Sequence, residues 1–425
     1  MSQPFDTSSA PAAAAVGPLS GLLVVDLSRA LAGPHAAQML GDLGARVIKV
    51  ENPGRGDDTR GWGPPFVGPD EDIATYFLAC NRNKESICLD LKSEDGHRVL
   101  TSLLERADVL VENFRPGVLD RLGFPPETLK EVNPKLITLS ISGFGHDGPE
   151  ANRAGYDQIL QGEAGLMSLT GPTPEDPQRV GVPIGDLLAG MYGAYGVLAA
   201  LHERERTGRG QVVRTSLLAA IVGVHAFQGT RATVAGETPQ AQGNHHPSIA
   251  PYGLFACRGG YVQISVGSPK LWDTFVATFG LQDRIEGLET NAQRVTRRQD
   301  VIALVEAAFA EYDSEALLSV LAEAGIPAGR VRNLQEVYAW EQVASQHLVS
   351  EVQHPTLGPI NLPGPPLRFF TPAGEETTKL EHATPPELDA DSATIRAEFG
   401  PELAGTAASG TSGAPGVSDS NKGVL

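Results

Sequence analysis

"LLVVDLSRALAGPHAAQMLGDLGARVIKVE", residues 22–51, sets an apolar run, a tight loop, an amphipathic stretch and a second apolar run in series. "LLVVDLS" (22–28) predicts a buried strand. "PHAAQMLGDLGA" (34–45) predicts a helix, with Pro34 near the first turn, where its missing N–H is no loss. "RVIKVE" (46–51) predicts a second strand. A strand, a helix and a strand in this order form a βαβ unit, with parallel strands in a sheet covered on its faces. The alternation continues. "GHRVLTSLLERA" (96–107) is amphipathic, and "DVLVENF" (108–114) is strand-like. "ETLKEVNP" (127–134) is a short helix, followed by the strand "LITLSISGFG" (136–145). The fold class is therefore α/β.

A βαβ unit ending on an acid, here Glu51, is also the outline of a dinucleotide site. The loop "SRALAGPHA", however, lacks the G-x-G-x-x-G glycines that let a pyrophosphate approach. An NAD-dependent oxidoreductase is thereby disfavoured, and the helix N-terminus remains a general anion site.

The bulk of the chain narrows the class further. Its 425 residues exceed what one compact core usually holds, so two domains are expected. The formal charge is −18, from 33 basic and 51 acidic side chains, and no basic run suggests a nucleic-acid partner. Apolar stretches meet a charge before they reach the length of a membrane span, so no membrane partner is expected. Residues 1–18 carry no Lys or Arg ahead of their alanines, unlike a secretory leader. The cysteines Cys80, Cys88 and Cys257 form no CxxC pair, and read as small core residues of a reduced cytoplasmic protein. Residues 1–18 and 401–425 have the composition of disordered tails.

The second half differs. "LLAGMYGAYGVLAALHERERTG" (187–208) predicts a long helix. Its small residues Gly190, Gly193, Ala194 and Gly196 allow close backbone approach, so burial is expected. "YGLFACRGGYVQISVG" (252–267) predicts a hairpin about Arg-Gly-Gly. Helical patterns follow at 297–312 and 314–325, with Pro327 as a stop. The Pro-rich stretch 345–372 is expected to be extended. The resulting division is a large domain over 19–225, a linker over 226–245, a small α+β domain over 246–345, and a return to the large domain over 346–400.

Two stretches carry chemistry. In "GVPIGDLLAG" (181–190), Asp186 lies among apolar and glycine neighbours. It reads as a helix N-cap, or as a reactive carboxylate, and the two roles are compatible. The positive end of a helix stabilises a carboxylate, and an ionised, poorly solvated carboxylate is a nucleophile. In "VENFRPGVLDRLGF" (111–124), a strand ends on Asn113 and Phe114, and a turn presents Arg115 and Arg121. Ligands of open α/β sheets bind beyond strand C-termini. Asn suits a base edge or ribose, Phe stacks and Arg pairs with phosphate. Each residue alone also fits a solvated loop. Lys92 adds charge nearby. No G-x-S-x-G or H-E-x-x-H motif suggests a hydrolase, and the adjacent His245 and His246 do not make a metal set.

Further motifs accompany these. They include "YFLACNRNKESICLDLKSEDG", "ADVLVENFRPGVLDRLG", "GYDQILQGEAGLMSLTG", "RVGVPIGDLLAG" and "ERERTGRGQVV", together with the opening unit through "GRGDDTR". In this order they resemble the family III CoA-transferases, the group of formyl-CoA:oxalate and carnitine CoA-transferases, from about residue 19 to 398. The resemblance implies a Rossmann-like large domain with a parallel sheet, a smaller α+β domain, and an interlocked homodimer. It implies coenzyme A or acyl-CoA as substrate, a carboxylic acid as its partner, and no prosthetic group or metal. The family nucleophile falls on Asp186. The CoA-binding positions fall on Leu31, Ala32, Leu89, Asp90, Lys92, Asn113, Phe114 and Arg121. Tyr156 and Asp157 fall in the segment along the acyl and pantetheine region. Asn52 stands where formyl-CoA transferase places a CoA-contacting arginine, and the glycine-rich loop of that enzyme is replaced by "GNHHPSIAPYG" (243–253). That loop offers Gly243, His246, Ser248 and Tyr252 to an acyl carboxylate. Its sequence is similar to members that use short dicarboxylates, such as succinate, mesaconate, citramalate or glutarate. The related α-methylacyl-CoA racemases place a histidine where this chain has Tyr156, and a tyrosine with a pKa of about 10 is a poor base. Transfer through an aspartyl-CoA thioester is thus expected ahead of racemisation.

Overall fold

The computed structural model describes residues 17–399. The expected tails 1–18 and 401–425 lie outside the described residues, apart from 17 and 18. The opening unit forms β1 (Leu23–Asp26), α1 (Ala32–Asp42) and β2 (Arg46–Glu51). The strands run parallel, with Val25 beside Ile48. Next come β3 (Lys84–Cys88), α2 (Glu94–Arg106), β4 (Val109–Glu112) and β5 (Ile137–Ser142). The helices α3 (Asp157–Glu163) and α4 (Ile184–Thr207) precede the last strand of the sheet, β6 (Val212–Ser216). The six parallel strands stand in the order β3-β2-β1-β4-β5-β6. Strand order reverses between β1 and β4, which opens a crevice at their C-terminal ends.

Alternation along the strands supplies both faces. Val24, Val47, Val111, Leu139 and Ile141 pack with Ala36 and Ala37 of α1 and Ala189, Ala194 and Val197 of α4. Val25, Ile48, Ile87 and Leu110 pack with Val99, Leu100 and Leu103 of α2. Ile395 and Phe399, near the C-terminal end of the described chain, join the second face.

The structure corrects several readings. Strands β3 and β6 were not expected, since Lys84, Glu85 and Arg214 give them the look of loops. The 226–245 linker contains a helix over Ala226–Thr233. Within the Pro-rich 345–372 stretch, Val349–His354 and Gly358–Pro363 pair as an antiparallel hairpin. Burial of α4 holds for one face. There a Cβ on Gly190 would lie 2.7 Å from the Ala32 carbonyl, and one on Gly196 would lie 2.5 Å from Val213. On the opposite face Met191, Tyr192, Tyr195 and Leu198 are exposed. This helix is long and apolar enough to cross a membrane by length and composition alone, yet its glycine face is filled by α1 and the sheet.

Beyond residue 250, the hairpin β7 (Tyr252–Cys257) and β8 (Gly260–Ser265) forms as read, and β9 (Ala328–Gly329) adds a third strand. Helices over Pro269–Thr278, Arg298–Phe309 and Ser314–Glu323 cover it. Their core holds Phe255, Val262, Trp272, Phe275, Phe309 and Leu317.

Candidate active site

Helix α4 starts at Ile184, with Pro183 in the cap position and no side-chain cap of its own. Asp186 is therefore the third helical residue and not the N-cap. The cap is supplied from elsewhere: the Gly185 N–H donates to Asp157 Oδ1 at 2.7 Å. With that donor satisfied, the helix can begin two residues before the aspartate. Asp157 opens α3, directly after the exposed Tyr156. Its other oxygen accepts from Gln161 Nε2 at 2.7 Å, and Gln161 Oε1 accepts the Val180 N–H at 2.9 Å.

The Asp186 carboxylate is half-buried and has no hydrogen-bond or ion-pair partner among the described residues. Burial, and then the negative charge of Asp157, push its carboxyl up to about 7. The expected help of the helix end in keeping it ionised is thus opposed by burial and by Asp157. Tyr76 faces the same pair. Burial first, and then the charge of Asp186, push its phenol up to about 12, so it stays protonated and able to donate. Its ring meets Trp62 edge-on at 5.1 Å. Tyr76 was not singled out from the sequence. Its only signal was its place inside the motif beginning "YFLAC".

The loop between β1 and α1 lies against α4 and is held from beneath by charge. Lys49 Nζ donates to the Ser28 carbonyl at 2.9 Å, and Lys84 Nζ donates to the Pro34 carbonyl at 2.9 Å. The Ala30 N–H donates to Asp57 Oδ1 at 3.2 Å, at a residue with φ of 66°. Such a left-handed alanine persists only where its surroundings fix it. Both lysines are buried and paired, Lys84 with Asp26 at 2.9 Å and Lys49 with Asp57 at 2.8 Å. Burial alone would raise the carboxyls of Asp26 and Asp57, but the lysines outweigh it and hold both low.

Leu31 and Ala32 are buried within this loop and the start of α1. Asn113 crosses the switch point to it, accepting the Arg29 N–H at 2.8 Å and donating to the Arg29 carbonyl at 2.6 Å. The amide expected to face a nucleotide is thus engaged by backbone. Arg29 in turn lies 5.7 Å from the Phe114 ring centre. Leu89 is buried after β3, while Asp90, Lys92 and Arg121 are exposed. Asp90 Oδ1 accepts the Lys92 N–H at 3.0 Å.

Beside Phe114, a cavity of about 460 Å³ is lined by Glu112, Arg115, Ser140, His146 and Arg214. The Ser140 hydroxyl bonds Glu112, and it bonds His146 Nε2 at 2.7 Å. Burial raises the Glu112 carboxyl and lowers the His146 imidazole. Reading the sequence passed over this group, because its members come from separate strands and a loop.

The 243–253 loop is held by a different device. Gly243 has a φ of 59°, and its N–H donates to the Gly171 carbonyl at 3.0 Å. The His246 ring stacks with Phe227 at 5.5 Å and with Tyr252 at 5.0 Å. The Ser248 N–H donates to His246 Nδ1 at 3.1 Å. Arg298 donates to the carbonyls of Pro247 (2.8 Å) and Ile249 (3.4 Å), Asn291 to Ser248 (2.9 Å) and Arg294 to Ala250 (2.6 Å). Neither Arg294 nor Arg298 forms an ion pair among the described residues. No hydrogen bond, ion pair or ring contact links Gly243, His246, Ser248 or Tyr252 to Asp186 among the described residues. One chain thus brings Asp157 and Tyr76 to the turn that carries Asp186.

This arrangement has known relatives. The sequence model of CoA-transferase family III matches residues 19–392. The chain is 39% identical over 373 residues to the succinyl-CoA:glutarate CoA-transferase of Mus musculus, covering 87% of this chain and 84% of that protein. It is 37% identical over 388 residues to the acetyl-CoA:oxalate CoA-transferase of Acetobacter aceti, covering 90% and 96%. Among solved structures, a CaiB/BaiF family protein from Brucella suis superposes with a TM-score of 0.80 at 39% identity, covering 91% of this chain and 100% of that one.

Proposed function

The chain belongs to CoA-transferase family III, and on that premise we propose that it moves CoA from a short acyl-CoA, succinyl-CoA foremost, to a dicarboxylic acid such as glutarate, with Asp186 as nucleophile. The observation that carries this reading is the Asp186 carboxylate. It is half-buried, without a hydrogen-bond partner among the described residues, and set in the first turn of α4, a helix that packs against the start of α1.

Asp186 attacks the thioester carbonyl, the C–S bond breaks, and CoA leaves as thiolate. The product is a mixed anhydride between Asp186 and the acyl group. The thiolate attacks the aspartyl carbonyl, the anhydride C–O bond breaks, and the donor acid departs. The aspartyl-CoA thioester that remains is opened by the acceptor carboxylate through the same steps in reverse. Each thioester broken is remade, so one difficult exchange becomes a chain of easier ones without another energy source. Tyr76, kept protonated, is placed to donate toward the oxyanion of a tetrahedral intermediate.

Leu31, Ala32, Leu89, Asp90, Lys92, Asn113, Phe114 and Arg121 would bind CoA, with Tyr156 and Asp157 toward the acyl end. Gly243, His246, Ser248 and Tyr252 would receive the acyl carboxylate. No hydrogen bond, ion pair or ring contact ties them to Asp186 among the described residues, which is compatible with an interlocked homodimer in which a second copy brings this loop to the nucleophile. The exposed Met191, Tyr192, Tyr195 and Leu198 on α4 offer apolar surface for that contact. Large-domain segments 19–225 and 346–400 and a small domain over 246–345 fit this arrangement.

The test is Asp186→Ala, assayed with succinyl-CoA and glutarate and by hydroxylamine trapping. Activity is expected to fall by roughly 10⁴-fold or more, as when other covalent nucleophiles are removed. The native enzyme is expected to yield a trappable adduct at Asp186. Retained CoA exchange in the variant sinks the mechanism.

A further inference from the structure

We infer that Asp157, held by Gln161, is the positioning residue for the Asp186 nucleophile: it supplies the helix cap that α4 lacks, and so fixes the turn that carries Asp186. The inference rests on Asp186 being the nucleophile, as proposed above.

Three hydrogen bonds build the device. Gly185 N–H meets Asp157 Oδ1, Gln161 Nε2 meets Asp157 Oδ2, and Val180 N–H meets Gln161 Oε1. The lead-in "VGVPIG" (180–185) is therefore pinned to α3 at both of its ends. The need arises from the sequence of α4 itself. The first N–H groups of a helix have no partner within it, and they are usually met by Ser, Thr, Asp or Asn at the cap. Here the cap position is Pro183, which has no side-chain acceptor. Gly185 lets the borrowed carboxylate come close, because a Cβ at that position would lie only 3.1 Å from Asp157 Oδ1. Gln161 is fully buried, with both ends of its amide engaged, which leaves Asp157 little freedom to turn away. The residue pinned by Asp157 is the immediate neighbour of Asp186.

An asparagine would make the same bond to Gly185, so the choice of an aspartate has a second effect. It places a negative charge beside the nucleophile. The groups that face Asp186 are Asp157 from α3 and Tyr76 from the short helix Thr75–Ala79, and no cation pairs with it among the described residues. The helix dipole favours the ionised carboxylate, while burial and Asp157 oppose it. The positioning bond and the raised basicity of the nucleophile thus come from one side chain.

Two substitutions at that position separate the effects, measured on the intact enzyme with succinyl-CoA and glutarate. Asp157→Ala removes both bond and charge. It is expected to lose on the order of 10²-fold in kcat, the scale of a small misplacement of a reacting group, with a much smaller change in the KM for succinyl-CoA. Asp157→Asn keeps an acceptor for the Gly185 N–H, gives up the bond from Gln161 Nε2 because its amide nitrogen donates, and removes the charge. It is expected to recover about tenfold of the lost kcat, while the acid limb of its kcat/KM profile moves to lower pH, because removing a like charge lowers the Asp186 pKa. Should Asp157→Ala fold poorly, Gln161→Leu breaks the tether without touching either aspartate, and a kcat loss of roughly tenfold or more is expected. The inference is overturned if Asp157→Ala or Gln161→Leu keeps the native kcat, if the Asn variant is as impaired as the Ala variant, or if its acid limb does not move. A loss borne by the KM for succinyl-CoA also overturns it, by marking Asp157 as a ligand contact. Absence of an Asp186 adduct in the native enzyme instead removes the nucleophile reading beneath it, so the two failures are told apart.

Discussion

Two loops of this molecule are held by side-chain cations reaching backbone carbonyls, but the charges are balanced differently. Beneath residues 28–34, Lys49 and Lys84 are buried against Asp26 and Asp57. Behind residues 243–253, Arg294 and Arg298 bond carbonyls and meet no carboxylate in an ion pair among the described residues. The first loop is fixed by a neutralised network, so its contribution is shape. The second keeps two guanidiniums outside any ion pair beside the loop proposed above to meet the acyl carboxylate. Under the roles proposed above, the CoA side needs only the right contour, and the side that would meet a second carboxylate gains from a cation outside any ion pair.

Lys49→Met breaks the balanced network most severely. It leaves Asp57, and part of the field on Asp26, buried without compensation, and removal of one partner of a buried pair costs about 3–5 kcal/mol. Urea unfolding at neutral pH is the measurement. The native protein should also reveal the network in acid. The Asp26 and Asp57 carboxyls are held below their ordinary values, so their stabilisation is present above the unfolded-state pKa, about 4, and is lost as pH falls below it toward the folded values. A stability curve flat from neutral pH down to about pH 2 contradicts the network.

Arg298→Met tests the unbalanced side with a smaller effect. Two carbonyls lose their charged donor, a cost of about 1.5–3 kcal/mol in stability. The KM for glutarate should rise roughly tenfold, while that for a monocarboxylic acceptor of equal length moves little. Equal changes for both acceptors mean that Arg298 serves the loop's shape alone, and the contrast between the two loops then fails.

How much of this was legible from residues follows the same division between local and distant causes. The unit 22–51, the hairpin at 252–267 and the helices within 297–312 and 314–325 depend on runs and periodicity, and they formed as read, while the helix Pro269–Thr278 was not read. Strand β3 did not announce itself, because Lys84 is tolerable in a buried strand only when Asp26, 58 positions earlier, lies beside it. Asp186 stood out as an acid among apolar neighbours, but its cap role was assigned one element too near. The cap is Asp157, 28 positions before the Gly185 whose N–H it accepts. Asn113 was readable as a polar residue at a strand end. That both its amide atoms turn to Arg29 depends on the approach of β1 to β4. Tyr76 and the carbonyl clamp of Asn291, Arg294 and Arg298 depend on tertiary contact in the same way, and no local pattern marks them.

Arg330→Ala supplies the smallest effect, and it sharpens the contrast because it removes the same side-chain type from the same part of the chain. Arg330 pairs with Glu315 at 2.8 Å, and both side chains are well exposed. An exposed pair gains little in water and loses side-chain freedom, so its net value lies between about 0 and 1 kcal/mol. Its charge is also balanced locally, and it bonds no carbonyl of the 243–253 loop. Urea unfolding is expected to shift by no more than about 0.5 kcal/mol, with the KM values for glutarate and succinyl-CoA unchanged. If Arg330→Ala instead weakens glutarate as much as Arg298→Met does, the preference follows the overall charge of this region, and the unpaired guanidinium behind Pro247 and Ile249 has no special claim to it.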